Sequence, residues 1–234
     1  MSLLTRLPAI LEKAKQEYQS TSQSAYETVE FLGENPYNLL VHGENLSFMK
    51  HLAETKGLAG GINLIYVDPP FYSGSNYQAS IKIESPLLSD IPAIKPLVYD
   101  DRWEHGVEDY LTMLCARLYM MRDLLTEDGS IWVHLDWHVV HYVKILMDEI
   151  FGEKNFINEI IWQYKSGGTS KNHFSRKHDT LLFYGKNPKP ALAIPLEKSY
   201  NREYKPYRFK GVKEYKDDLG WYTMVNMKDV WQID

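Results

Sequence analysis

The chain has 234 residues, a net charge of −5, one Cys and 44% hydrophobic residues. That suffices for one ordinary domain with a buried core, and 13% aromatic with 24% charged residues excludes a disordered chain. A single Cys excludes an intrachain disulfide framework and a multi-Cys zinc site, and no run reaches the roughly 18 apolar residues of a membrane span, so a cytoplasmic location is expected.

Residues 3–19 read as a helix with Pro8 near its start, and Arg6, Pro8 and Glu12 break its apolar residues too often for a signal peptide. Residues 20–36 are polar, end in Gly33, Asn35 and Pro36, and read as a linker. Asn38–His42 reads as a short strand. Asn45 then suits the N-cap of a helix ending near Gly57, with Leu46, Met49, Leu52 and Ala53 on one face. Ile62–Val67, apolar but for Asn63, predicts a strand buried on both faces, and it stops at Asp68-Pro69-Pro70-Phe71. Residues 72–106 show no period and contain Pro86, Pro92 and Pro96, as a functional loop or lid would. Val107–Thr126 is the clearest amphipathic helix, with Gly129 expected to end it. Ser130–Asp136 predicts a strand and His138–Ile150 a second amphipathic helix, closed by Gly152. Ile157–Tyr164 and Thr180–Tyr184 predict two more strands, an antiparallel pair at the sheet edge. Strand–helix alternation from 38 to 150 predicts an α/β fold with a mostly parallel, partial doubly wound sheet.

Charge is unevenly spread. Residues 165–216 hold 13 Lys and Arg against 4 acids, or +9, and the rest of the chain holds 13 against 27, or −14. Tyr200, Tyr204, Tyr207, Phe209, Tyr215, Trp221 and Tyr222 interleave or follow these cations. Cations for phosphates beside flat rings form a nucleic-acid pattern, and a solvated face over an aromatic mini-core is the alternative.

Asp68-Pro69-Pro70-Phe71 follows a predicted parallel strand, and open α/β sheets bind ligands at such carboxyl ends. A nucleobase amine is a poor nucleophile because its lone pair is delocalised into the ring. A carboxylate (Asp68) and a backbone carbonyl (Pro69) can both accept hydrogen bonds from that amine and aim its nitrogen at an electrophilic methyl group. The prolines stiffen the loop, and Phe71 offers a face for a flipped base. A strand-ending Asp-Pro turn is the structural alternative. His134, His138 and His141 are split between a strand and a helix, which favours ordinary packed histidines over a metal site. Asp136 suits either the pocket or the cap of the next helix, and Cys115 suits the core.

The Asp-Pro-Pro-Phe tetrapeptide resembles motif IV of amino-directed DNA methyltransferases. The segments VHGENLSFMKHL, DRW (101–103), YLTMLCARLYMMRDLLTEDGSIWVHLD (110–136) and LMDEIFGEKNFINEIIW (146–162) extend the likeness over residues 38–185. The likeness is to the β-group of adenine-N6 and cytosine-N4 enzymes, including type III restriction-modification methylases. Asp rather than Ser before Pro-Pro points to adenine N6, although Phe71 stands where Tyr is commoner. The resemblance implies a Rossmann-like methyltransferase that moves a methyl group from S-adenosylmethionine to a base in double-stranded DNA, without a metal. It assigns amine binding to Asp68, Pro69, Pro70 and Phe71, and cofactor contact to Asp68 and Glu44, with a surface acid at a helix start as the structural alternative for Glu44. Lys165, Lys171, Arg176 and Lys177 fall in its DNA-facing loop, where Gly167-Gly168 would allow close backbone approach. A restriction subunit or a homodimer is the implied protein partner.

No Gly-x-Gly cofactor motif occurs in the chain. The implied organisation is an N-terminal helix and linker (1–36), a partial catalytic core (37–185) and a basic, aromatic-rich start of a target-recognition region (186–234). The rival expectations are cytosine-N4 specificity and an inactive nucleic-acid-binding fragment that needs a partner or a C-terminal half.

Overall fold

The computed structural model describes residues 2–22, 28–31, 38–78, 97–165, 171–200 and 211–233. After a single turn at Leu3–Thr5, helix α1 (Leu7–Ser20) starts with Pro8 in its first turn, where a missing N–H costs nothing. Strands β1 (Thr28–Phe31) and β2 (Leu39–His42) pair antiparallel, so part of the expected linker is a strand. β2 is therefore not a strand of the central sheet, as its position in the strand–helix alternation had implied.

Helix α2 (Asn45–Glu54) is capped by Glu44 instead of Asn45: the Glu44 carboxylate accepts hydrogen bonds from the Leu46 and Ser47 amides. Strand β3 (Ile62–Val67) follows. β4 (Asn76–Gln78) and β5 (Leu97–Asp100) pair antiparallel inside the stretch without sequence periodicity. Helix α3 (Val107–Leu124) passes directly into β6 (Leu125–Leu135), earlier than Gly129. Leu125 already pairs with Ile62 of β3, and this sheet contact ends the helix. Helix α4 (Val140–Phe151) stops at Gly152, whose φ of 96° is costly for any other residue. β7 (Phe156–Gln163) and β8 (His178–Gly185) come next, then β9 (Leu196–Tyr200), β10 (Glu214–Asp217), β11 (Gly220–Asn226) and β12 (Val230–Gln232).

The central sheet has the order β12-β7-β8-β6-β3. β3 runs parallel to β6 and β12 parallel to β7, while β8 is antiparallel to both its neighbours. Four strands thus point one way and β8 alone the other, giving the expected mostly parallel α/β sheet. β7 and β8 form the expected antiparallel pair, but inside the sheet and not at its edge. Hydrogen bonding to β6 takes up the far side of β8, and β12 closes the far side of β7.

Alternation along each strand sorts side chains between two faces. Ile131, Val133 and Leu135 of β6, with Leu182 and Tyr184 of β8, join the large core built on α3 and α4. Leu7, Ile10 and Ala14 bring α1 into the same core. Trp132, Phe183, Ile160, Trp162 and Trp231 form a smaller cluster, where Trp132 stacks on Phe183 with ring centroids 4.2 Å apart. β3 ends the order, and among the described residues no strand pairs with its outer side. Leu64 and Tyr66 are 60% and 57% exposed, so β3 is not buried on both faces. Its continuous apolar composition is that of a central strand, but its place is an edge.

Leu182 is fully buried in the large core. Leu182→Ala is expected to destabilise the fold by about 2–5 kcal/mol in urea unfolding. Leu64→Lys, on the open edge, should change stability by no more than about 0.5 kcal/mol and should lower aggregation measured by light scattering.

Candidate functional site

Parallel pairing of β3 with β6 aligns Val67 with Val133, so the residues after Val67 emerge beside the end of β6. β8 runs back from this edge, pairing Thr180 with Leu135 and His178 with Gln163 of β7. The carboxyl ends of β3, β6 and β7 and the start of β8 therefore share one edge. Asp68, Pro69, Pro70 and Phe71 leave the sheet there.

Asp68 is largely exposed, and its Oδ1 lies 3.1 Å from Nδ1 of His134. His134 Nε2 lies 3.4 Å from Oδ2 of Asp179. The Phe71 ring is half-buried and sits 5.2 Å from the His134 ring, with planes 76° apart. Trp162 flanks the other rings at 5.5 Å from His134 and 5.9 Å from Tyr164. The Tyr164 hydroxyl donates to Asp179 Oδ1 at 3.3 Å. Burial, and then the Asp179 charge, push the Tyr164 phenol up, so it stays protonated and able to donate at neutral pH.

The loop after Phe71 is held from below. Asp101 is fully buried, and its carboxylate accepts hydrogen bonds from the amides of Tyr72 (3.2 Å) and Ser73 (2.6 Å), the Ser73 hydroxyl (2.8 Å) and the Trp103 indole (3.2 Å). The Asp101 amide donates to the Ser75 carbonyl at 3.1 Å. Tyr72 has φ 58°, the left-handed region that an ordinary side chain enters at a cost of about 1–3 kcal/mol. Buried charge-assisted hydrogen bonds on both sides of that residue are strong enough to hold it there. Rings tie the loop to the core: Tyr72 and Trp103 lie 5.8 Å and 5.3 Å from the fully buried Tyr110.

Glu44 is engaged elsewhere. Beyond capping α2, its Oε1 accepts from Arg117 at 2.6 Å, and Arg117 also bonds the Asn45 side chain. Burial works to raise its carboxyl, but the Ser47 and Leu46 amides and the Arg117 guanidinium outweigh burial and hold it below the ordinary range. Glu44 thus caps α2 and pairs with Arg117 while its side chain stays 48% exposed. Asp136 makes a local turn ahead of α4 and does not cap it: its carboxylate accepts from the His138 amide at 2.9 Å and pairs with the His138 ring at 2.6 Å, while the N-cap, Val139, has no side-chain cap.

Of the expected DNA contacts, Arg176 lies on the edge that carries Asp68, with its guanidinium 3.7 Å from the Trp137 ring centroid just past β6. Lys165 and Lys171 are exposed. The Lys177 carbonyl accepts from the Tyr164 amide at 2.9 Å, continuing the β7–β8 pairing. Gly167 and Gly168 lie outside the described residues. In the β10-β11-β9 sheet, Tyr215 stacks on Tyr222, Lys198 lies 4.5 Å from the Tyr222 ring and Lys216 5.7 Å from the Trp221 ring. Asp217 partly neutralises this patch, accepting from Lys198 and Tyr200 at 2.8 Å each. Among the described residues no group of His, Cys, Asp and Glu is arranged to hold a metal, and no helix is long and apolar enough to cross a membrane.

Sequence reasoning gave no site role to three residues: His134, read as a packed histidine, Asp101, read only as part of the DRW segment, and Asp179. His134 interrupts Ile131, Val133 and Leu135 on the opposite face of its strand, a signal of a polar group facing a site. Asp101 and Asp179 have no such local mark.

Residues 62–234 match the family model described as a DNA methylase of the N6/N4 type. The chain is 28% identical over 168 residues to the type III restriction-modification enzyme EcoP15I Mod subunit of Escherichia coli, covering 68% of this chain and 26% of that protein. It is 31% identical over 163 residues to the EcoPI Mod subunit of Escherichia phage P1, covering 65% and 25%. To the probable HindVI Mod subunit of Haemophilus influenzae it is 34% identical over 195 residues, covering 80% and 22%. The chain thus spans about a quarter of the length of the curated relatives it matches.

Asp101→Ala is expected to strand four donors and to destabilise the fold by about 1–3 kcal/mol. It should also red-shift Trp103 fluorescence, read against a Trp103→Phe control. Because the folded Glu44 carboxyl titrates low, its contribution is present above the ordinary carboxylate range and lost as pH falls through the folded value. Glu44→Gln should therefore lower thermal stability at neutral pH and flatten its loss in acid.

Proposed function

The chain belongs to the N6/N4 DNA methylase family, and from that premise we propose that it carries the amine-binding part of a methyl transfer to adenine N6 in double-stranded DNA. The observation that supports this most is Asp68-Pro69-Pro70-Phe71 at the carboxyl end of a parallel strand, with its carboxylate open to solvent. The Asp68 carboxylate and the Pro69 carbonyl accept hydrogen bonds from the flipped adenine amine, and Phe71 packs on the base. Accepting from both N–H groups directs the nitrogen lone pair out of the ring plane and stabilises the charge that grows on nitrogen. Flipping is required because the amine is otherwise stacked and paired within the duplex. The Asp101 hydrogen bonds hold the loop in place before any base arrives, which removes an ordering cost from the reactive complex.

The methyl donor of this reading is S-adenosylmethionine. Asp68 fits it, as an exposed carboxylate beside a cationic sulfonium, and Glu44, half-exposed at the start of α2, is the second acid of the reading. When bound, the donor supplies an already electrophilic methyl group, so no metal is called for. Asp in the first position of the tetrapeptide supports adenine N6 over cytosine N4. Arg176, Lys171, Lys165 and Lys177 supply phosphate contacts near the catalytic edge. Organisation into an N-terminal helix with linker, a partial catalytic core over 37–185 and a recognition start over 186–234 is part of the same proposal, as is a restriction subunit or a second copy as partner, on the pattern of the Mod subunits.

Incubation with duplex DNA and labelled S-adenosylmethionine, followed by nucleoside mass spectrometry, should yield N6-methyladenine. N4-methylcytosine as product would overturn the base assignment. No methylated base, with no donor binding by calorimetry, would favour the fragment that needs a partner. In a competent assembly Asp68→Ala should cut methyl transfer at least a thousandfold and leave DNA affinity within about twofold. Replacing Lys171, Arg176 and Lys177 with Ala should weaken DNA binding and lower the slope of log affinity against log salt by up to about 2.7.

A further inference from the structure

We propose that His134 positions the Asp68 carboxylate, as the middle member of a line Asp68–His134–Asp179–Tyr164; this deepens the reading of Asp68 as the amine acceptor and rests on it. His134 is only 6% exposed, although its strand otherwise places Trp132 on that face and aliphatic residues on the other. A buried imidazole loses water from two polar nitrogens, and an apolar side chain there would avoid that loss. Neither nitrogen makes a well-directed hydrogen bond, yet each lies within ion-pair reach of a carboxylate, Asp68 at 3.1 Å and Asp179 at 3.4 Å.

The surroundings fix the ring. Phe71 and Trp162 flank it from the β3 and β7 sides. Asp179 is itself held, because its other oxygen accepts from Tyr164. Among the described residues the charged groups facing His134 are Asp68 after β3 and Asp179 of β8, with Tyr164 after β7 beyond Asp179, Tyr66 of β3 within reach of the Asp68 charge and Asp136 within reach of Tyr164. A neutral imidazole donates to one of its two carboxylates and an imidazolium to both. Among the described residues His134 is the ion-pair partner of Asp68, whose charge also reaches the Tyr66 phenol. Asp68 has two carboxylate oxygens: with Oδ1 drawn to Nδ1, Oδ2 stays free and oriented for the incoming amine. Without His134 the exposed carboxylate samples several rotamers, and fewer of them meet the base.

The first measurement is a long-range 1H–15N NMR spectrum of the imidazole ring nitrogens of the full chain, assigned with His134→Gln. Asp68→Asn should move the His134 Nδ1 resonance and Asp179→Asn the Nε2 resonance, because each changes the group facing that nitrogen. Ring resonances unmoved in both variants overturn the proposal, whatever the chain's enzymatic competence. The second measurement is methyl transfer to DNA. His134→Phe, of similar volume without a donor, should lower kcat at least tenfold with KM for the donor within twofold. His134→Asn, which keeps an N–H near the Nδ1 position, should restore most of that loss. Unchanged kcat in a correctly folded His134→Phe, checked by its melting temperature, overturns it too. Ring resonances that move in both variants, in a chain that transfers no methyl group, support the bridge and overturn the enzymatic reading instead.

Discussion

Parallel pairing of β3 with β6 is the constraint on which the site depends. One register, Val67 against Val133, decides that Asp68 emerges beside His134. A slip of one residue would turn Ile65 and Val67 out of the core and aim Asp68 away from the ring, because side chains alternate faces with a period of two. The large core enforces the register: Ile65, Val67, Ile131 and Val133 must all reach the helical side together. Burial of aliphatic side chains on one face thus sets the position of polar ones on the other.

β8 completes the arrangement by running against its neighbours. An antiparallel strand between β6 and β7 starts at the edge where theirs end. Asp179, the second residue of β8, can then meet a histidine near the end of β6. The same reversal returns the basic segment Lys171–Lys177 to the edge that carries Asp68, where Arg176 rests on Trp137. Strand direction thus brings the cations and the carboxylate of the proposed function to one rim. The Asp101 clamp adds rigidity from the opposite side. It holds a left-handed Tyr72 immediately after the tetrapeptide, and the strain there is offset by buried hydrogen bonds and by packing on Tyr110.

Much of this was legible along the chain, and the misses have definite causes. The tetrapeptide, the long α3 and the β7–β8 pair were readable because each carries a local periodicity or an unusual residue combination. Asn45 was the expected cap, but Glu44 took the role because its longer side chain reaches two amides and Arg117 at once. That engagement makes Glu44 the helix-start acid that the sequence also allowed, tied to Arg117 of α3. Ile62–Val67 looked like a strand buried on both faces, since composition records hydrophobicity and not the number of neighbouring strands. The placement of β2 failed likewise: a short apolar strand carries no mark of its partner.

The sequence by itself determined the fold class, the strand end that carries Asp68-Pro69-Pro70-Phe71, the basic stretch over 165–216 and the chemistry those residue types can perform. Only the tertiary structure decided that His134 and Asp179 line up behind Asp68, that Asp101 holds the loop, that β8 is interior and that β12 joins β7. Helical and strand periodicity arise from neighbours a few residues apart, so a chain displays them openly. Which strand lies beside which is set by burial of surfaces distant in sequence, and no single segment encodes that choice.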